Sequence, residues 1–196
     1  MYRRQLLLQK ILCFAAIAAC ALVFLYALGL MTDLYDSLYY TMTNPNDVHK
    51  TMVQGSWIYY DMQPFNRNLL NNSIVLLVLC CLLFLTSTHK RRKYYWGNVL
   101  STCLFAAAST VISVWAHFEL IAFRAQFLQI DFATMEKMAK MWKKPYYDST
   151  FWFDIHYAVF GLLLLISVAL VINLIWKKDL MRAEQRLIEE GKKVSA

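Results

Sequence analysis

Two short stretches hold most of the side chains in this 196-residue chain that could do chemistry beside an apolar run. WAHFELIAFR supplies His117, Glu119 and Arg124, and FWFDIHY supplies Asp154 and His156. Histidines and carboxylates on neighbouring helices could share a proton, hold a metal, ligate a haem through two imidazoles, or only pin the helices together. Each use demands its own geometry. Residues two apart on a helix point about 200° away from each other, so His117 and Glu119 cannot face one neighbour, and neither can Asp154 and His156. At most one member of each pair is expected to meet its opposite number, as a histidine-to-carboxylate hydrogen bond, with Arg124 one heptad beyond His117 as a further partner. Zinc wants three or four ligands, of which only the carboxylates could be added, and a haem needs both rings facing a large apolar cavity. A structural hydrogen-bond cluster is the favoured expectation. A small membrane haem or metal redox protein using His117 and His156 is the alternative.

Depth sharpens that choice. His117 lies 21 residues after Trp96 and His156 lies 20 residues before Trp176. At the helical rise both stand roughly 30 Å from their tryptophan anchors. They share one level, the edge of the hydrocarbon, where an ionisable group reaches water and headgroups cheaply. His49 and His89 fall in an outer loop and an inner turn and read as solvated.

The elements that must position these residues are membrane helices. The chain is 59% hydrophobic and only 17% charged, well to the apolar side of soluble domains. A spanning helix needs about 20 mostly apolar residues. Four segments qualify, at about 11–31, 69–88, 96–123 and 151–176, with Pro64 expected to start the second helix. The fold class expected is all-α: a single integral membrane domain built as a four-transmembrane-helix bundle with helical outer segments. The net charge of +7 does not call for nucleic acid, because the basic residues cluster between spans. Thirteen Lys and Arg fall before the first span, in HKRRK and after Trp176, against seven in the two longer segments 32–68 and 124–150. The positive-inside tendency then puts both termini in the cytoplasm of a multi-pass cell-membrane protein. IAAC at 17–20 resembles a lipoprotein cleavage box, but ALVFLYALGLM continues straight past Cys20, so an uncleaved first span is expected.

Small residues at helical spacing, Ala15 and Ala19 in the first span and Ala106, Ser109 and Ser113 in the third, let backbones approach closely in lipid. Asn98 and Asn173 sit near helix ends and are expected to be satisfied at the interface. Outside the spans, RAQFLQIDFATMEKMAKMWKK projects as an amphipathic helix. Its Met135, Met138, Met141 and Trp142 make a candidate partner face, although burial on the chain's own outer loop is an equally simple use. The first outer segment offers Tyr39, Trp57, Tyr59 and Tyr60 as a candidate aromatic surface, against the plainer reading of an interfacial belt. Helix is expected over 33–42, Ser149 or Thr150 should cap the fourth span, and Gly191 should end the tail 177–196.

Catalytic patterns are missing. The sequence has no GxSxG, phosphate-binding loop or HExxH, and Cys13, Cys20, Cys80, Cys81 and Cys103 all lie in apolar runs, away from the outer segments a thiol oxidoreductase would use. Claudins and tetraspanins share the four-pass plan but carry outer-loop cysteines that this chain lacks. No catalytic residue, metal ligand or cofactor is therefore assigned.

LYALGLMTDLYDSLYY, GSWIYYDMQPFNRN and STFWFDIHY resemble small four-pass membrane proteins of Gram-positive bacteria that are encoded beside sugar ABC importer permeases. That resemblance extends over nearly the whole chain and carries over no functional residue. It implies an accessory subunit, with the lipid bilayer and another membrane protein, an ABC importer permease being the candidate, as partners. From the residues themselves the expectation is a non-enzymatic membrane component acting through helix faces and outer segments.

Overall fold

The computed structural model describes residues 2–41, 53–87, 95–143 and 146–194, and these contain helices and turns but no strand. The helices are α1 (Tyr2–Thr41), α2 (Ile58–Ser87), α3 (Tyr95–Phe127), α4 (Phe132–Trp142), α5 (Phe151–Asp154) and α6 (His156–Val194). Four stretches are long and apolar enough to cross a membrane: Arg3–Leu34, Ile58–Ser87, Tyr95–Phe127 and Phe151–Glu190. The exposed positions along them are apolar, among them Phe14, Val78, Val111, Phe118 and Leu165. Water would not tolerate that surface and lipid would.

Helix boundaries depart from expectation where local chemistry overrides the apolar run. α1 is the exception, continuing past its span to Thr41 through the Asp- and Tyr-rich stretch after Met31, in keeping with the helix expected over 33–42. α2 begins at Ile58, so Pro64 lies inside the helix rather than at its start. The ring removes one backbone donor near the N-terminal end, and the side-chain amide of the preceding residue, Gln63, donates to the Tyr59 carbonyl at 2.7 Å. The turn ahead of α2 depends on Gly55, whose φ of 84° is left-handed and whose added Cβ would press on the Gln129 backbone at 3.0 Å. Gly191 does not end α6, which runs on to Val194. The amphipathic stretch is broken: α3 extends to Phe127, a turn follows, and α4 starts afresh with the Asp131 carboxylate accepting from the Thr134 amide. Lys143, in left-handed conformation with φ 53°, closes α4, and Pro145 lies outside the described residues.

The chain packs as two compact units. One comprises Met1–Cys20, Leu76–Thr110 and Leu162–Ala196. Its buried residues are small or aliphatic on α1 and α2 (Cys13, Ala16, Cys20, Leu76, Cys80, Leu83), with Phe105 from α3 and Leu163 and Leu170 from α6. Hydroxyl and thiol contacts tie it, with Cys13 Sγ 3.1 Å from Ser87 Oγ and Thr86 Oγ1 2.6 Å from Ser101 Oγ. Of the expected small-residue positions, Ala19 and Ser109 are buried here, while Ala15 and Ala106 are half-buried.

The other unit comprises Ala21–Val75 and Val111–Gly161. Aromatic rings fill it. Phe127 lies 5.0 Å from Phe153, 5.2 Å from Phe132 and 6.3 Å from Tyr59, centroid to centroid. Phe65 meets Trp115 at 5.0 Å and Phe123 at 5.5 Å. Offset and edge-on arrangements at these spacings are favourable contacts, worth about 0.5–1.5 kcal/mol each beyond area burial.

Candidate functional site

Within this second unit, α3 carries His117 and Arg124 seven residues apart, which keeps them on one face of the helix. Their partners come from the start of the fourth span, where the helix is interrupted. Ser149 Oγ accepts from the Phe151 amide at 3.2 Å, Thr150 Oγ1 donates to Asp154 Oδ2 at 2.6 Å, and α5 ends after one turn at Asp154. Thr150 is the N-cap residue, yet the hydroxyl that reaches the backbone belongs to Ser149. His156 then opens α6, and its Nδ1 donates to the Phe153 carbonyl across the break.

That carbonyl fixes the protons. A backbone oxygen only accepts, so His156 carries a hydrogen on Nδ1 and, as the neutral imidazole, keeps a lone pair on Nε2. His117 Nδ1 stands 3.0 Å from His156 Nε2 and is therefore the donor, which leaves a lone pair on His117 Nε2. The rings lie 5.3 Å apart at 39°, and the Tyr157 ring covers His156 at 4.0 Å. His156 is buried and His117 half-buried. Beside them Arg124 Nε donates to Asp154 Oδ1 at 2.8 Å in a pair open to solvent.

The interruption explains a difference from the sequence reading. On a continuous helix only one of Asp154 and His156 could meet α3, but Ile155 separates the one-turn α5 from α6, and both do. The histidines bond each other rather than a carboxylate, and the carboxylate bonds Arg124. Glu119 is half-buried and makes no hydrogen bond or ion pair among the described residues.

A third tie fastens α1 to the same turn. Tyr26 Oη donates to the Trp152 carbonyl at 2.8 Å, and Trp152 Nε1 donates to Asp33 Oδ2 at 3.1 Å. The indole lies on Gly29, where an added Cβ would sit 2.0 Å from the ring.

Chemically, this arrangement holds helices and can share one proton along the two imidazoles. Two nitrogens in hydrogen-bond contact leave no space for a haem plate, whose iron would separate them by about 4 Å given metal–nitrogen bonds near 2 Å. Among the described residues no three His, Cys, Asp or Glu side chains converge to hold a metal ion.

The remaining candidates are dispersed. Met135 is buried, Met138 half-buried and Met141 exposed, so the methionine face is partly engaged within the second unit. The Trp142 and Tyr39 side chains lie outside the described residues, as do His49 and His89. Tyr59 is buried with its hydroxyl 3.4 Å from the Tyr147 carbonyl, whereas Trp57 and Tyr60 are about half exposed. Of the cysteines, Cys13, Cys20 and Cys80 are buried and Cys81 and Cys103 exposed, and all five are free.

Sequence reasoning missed the polar seam of the first unit: Gln5, Gln9, Asn173 and Lys177 are buried there. The signal was available in Gln5, Gln9 and Cys13, which recur every four residues and so share one helix face. No family model, curated protein or solved structure matches the chain. The class defined by the fold is an all-helical chain with four helices able to span a membrane, compatible with a multi-pass integral membrane protein.

Proposed function

We propose that the chain is a non-enzymatic integral membrane protein that acts as an accessory subunit of a larger membrane complex, with a carbohydrate ABC importer as that complex. Both termini face the cytoplasm, and the segments 32–68 and 124–150 lie outside. The observation that carries the non-enzymatic reading is the direct 3.0 Å contact between His117 and His156. The groups best suited to chemistry are engaged with each other or with Arg124, which is how a helix clasp is built. The importer assignment is supported by the resemblance of three sequence stretches alone. Removing the gene while the neighbouring permease genes are kept should lower uptake of the importer's sugar, and the intact gene should restore it. Unchanged uptake would remove the importer from the proposal. The redox alternative is tested separately by a visible spectrum of the purified protein, which is expected to be featureless. A Soret band lost in both His117→Ala and His156→Ala would establish the haem reading instead.

A further inference from the structure

A second cluster, in the unit containing both chain ends, does not balance. Gln9 Oε1 accepts from Asn173 Nδ2, Gln5 Nε2 donates to Asn173 Oδ1 at 3.5 Å, and Gln9 Nε2 donates to Cys13 Sγ at 3.7 Å. One turn beyond Asn173 on α6, Lys177 turns into the same seam and is only 4% exposed. It is near enough to Cys13 for its charge to be felt at the thiol. Its neighbours Lys178 and Asp179 are exposed. Among the described residues Lys177 makes no hydrogen bond or ion pair, and every side chain known to line the seam is neutral. The cluster also leaves the buried Gln5 Oε1 with no donor.

A buried ammonium without a counter-charge and an orphan carbonyl oxygen in the same helix seam are costly, and packing alone would be better served by an apolar side chain at 177. The complement it lacks is an anionic oxygen for Lys177 joined to a hydroxyl donor for Gln5. A glycerol phosphate group carries both. The level of the seam indicates the source. Lys177 directly follows the long apolar run of α6 and Trp176, and Trp96 at the start of α3 is also exposed, an arrangement typical of side chains at headgroup depth. We propose that Lys177, with Gln5, forms a binding site for a glycerol phosphate headgroup, filled from the bilayer by phosphatidylglycerol. This site is independent of the importer assignment.

The test uses the full chain, delipidated in a neutral detergent, with native mass spectrometry and thermal unfolding as readouts. Phosphatidylglycerol should remain bound one to one and raise the unfolding midpoint, whereas phosphatidylcholine and soluble glycerol 3-phosphate should not. Lys177→Met should keep wild-type helix content and lose lipid affinity on the order of tenfold, one lost charge-assisted contact. Lys177→Arg should retain the lipid, and so should Lys178→Met. Equal retention by Lys177→Met, or no gain by the wild type from phosphatidylglycerol, overturns the site. A gain from glycerol 3-phosphate that equals the lipid's overturns the bilayer as its source. If Lys177→Met fails to fold, the wild-type comparison among the three additives decides the proposal alone.

Discussion

His156 is the residue on which the clasp turns, because it is buried and bonded at both ring nitrogens. Replacing it with alanine leaves the Phe153 carbonyl and His117 Nδ1 without partners, a loss of roughly 1–3 kcal/mol for a buried polar group. The solvent-open Arg124–Asp154 pair is worth less, about 0–1 kcal/mol. Unfolding by detergent titration should therefore rank His156→Ala well below Arg124→Ala, with Glu119→Gln near wild type. A double cycle on His117 and His156 should show coupling of about 1 kcal/mol. Additive effects would mean that the two rings do not act as a pair. The sequence placed both histidines at one level, but it could not reveal that they meet. A break at Ile155 is a backbone event, and nothing in DIHY marks it.

At the scale of elements, α4 depends on a charged cap. The Asp131 carboxyl is held below its ordinary range by hydrogen bonds from Thr134, and Glu136 is lowered by Lys140 beside it. A depressed carboxylate contributes stability that is complete above its unfolded pKa and is lost as pH falls through the folded one. Acidification from neutral pH should thus leave α4 intact until the ordinary carboxylate range is passed and then loosen it, read as faster amide exchange over 132–142. Asp131→Asn, which still caps, should remove most of that acid dependence, and Asp131→Ala should speed exchange at neutral pH. No change with either variant would dismiss the cap. The packing of α1 on the 150–156 turn gives a separate prediction. Gly29→Val drives a branched side chain into the Trp152 ring and should cost about 1–3 kcal/mol with a shift in tryptophan emission, whereas Gly161→Ala, which meets nothing within 4 Å, should be neutral. Helix identity was legible from apolar runs, since lipid demands them. Helix ends were not: Pro64 and Gly191 were read as boundaries, but α2 starts at Ile58, ahead of the first, and α6 runs past the second to Val194.

For the whole molecule, four apolar helices were readable because the bilayer imposes length and composition on each separately. The interior of each unit was less so, because a buried polar residue advertises itself only when its neighbours are known. Gln5 and Gln9 lie ahead of the first apolar run, and only packing shows them bonded to Asn173, 168 and 164 positions away. The proposed placement of both termini in the cytoplasm predicts that tags at either end are protected in intact cells and become accessible only after permeabilisation. One tag accessible without permeabilisation would refute the even number of crossings on which the proposed outer placement of 32–68 and 124–150 rests.

The most direct measurement is the mass of the particle the chain purifies in. Coexpressed with the sugar importer permease proposed as its partner and extracted in mild detergent without crosslinking, a tagged chain is predicted to emerge in a complex whose native mass includes the permease, and a permease from an unrelated importer should not substitute. A tagged chain that emerges alone, or equally with either permease, would contradict the account of an accessory subunit.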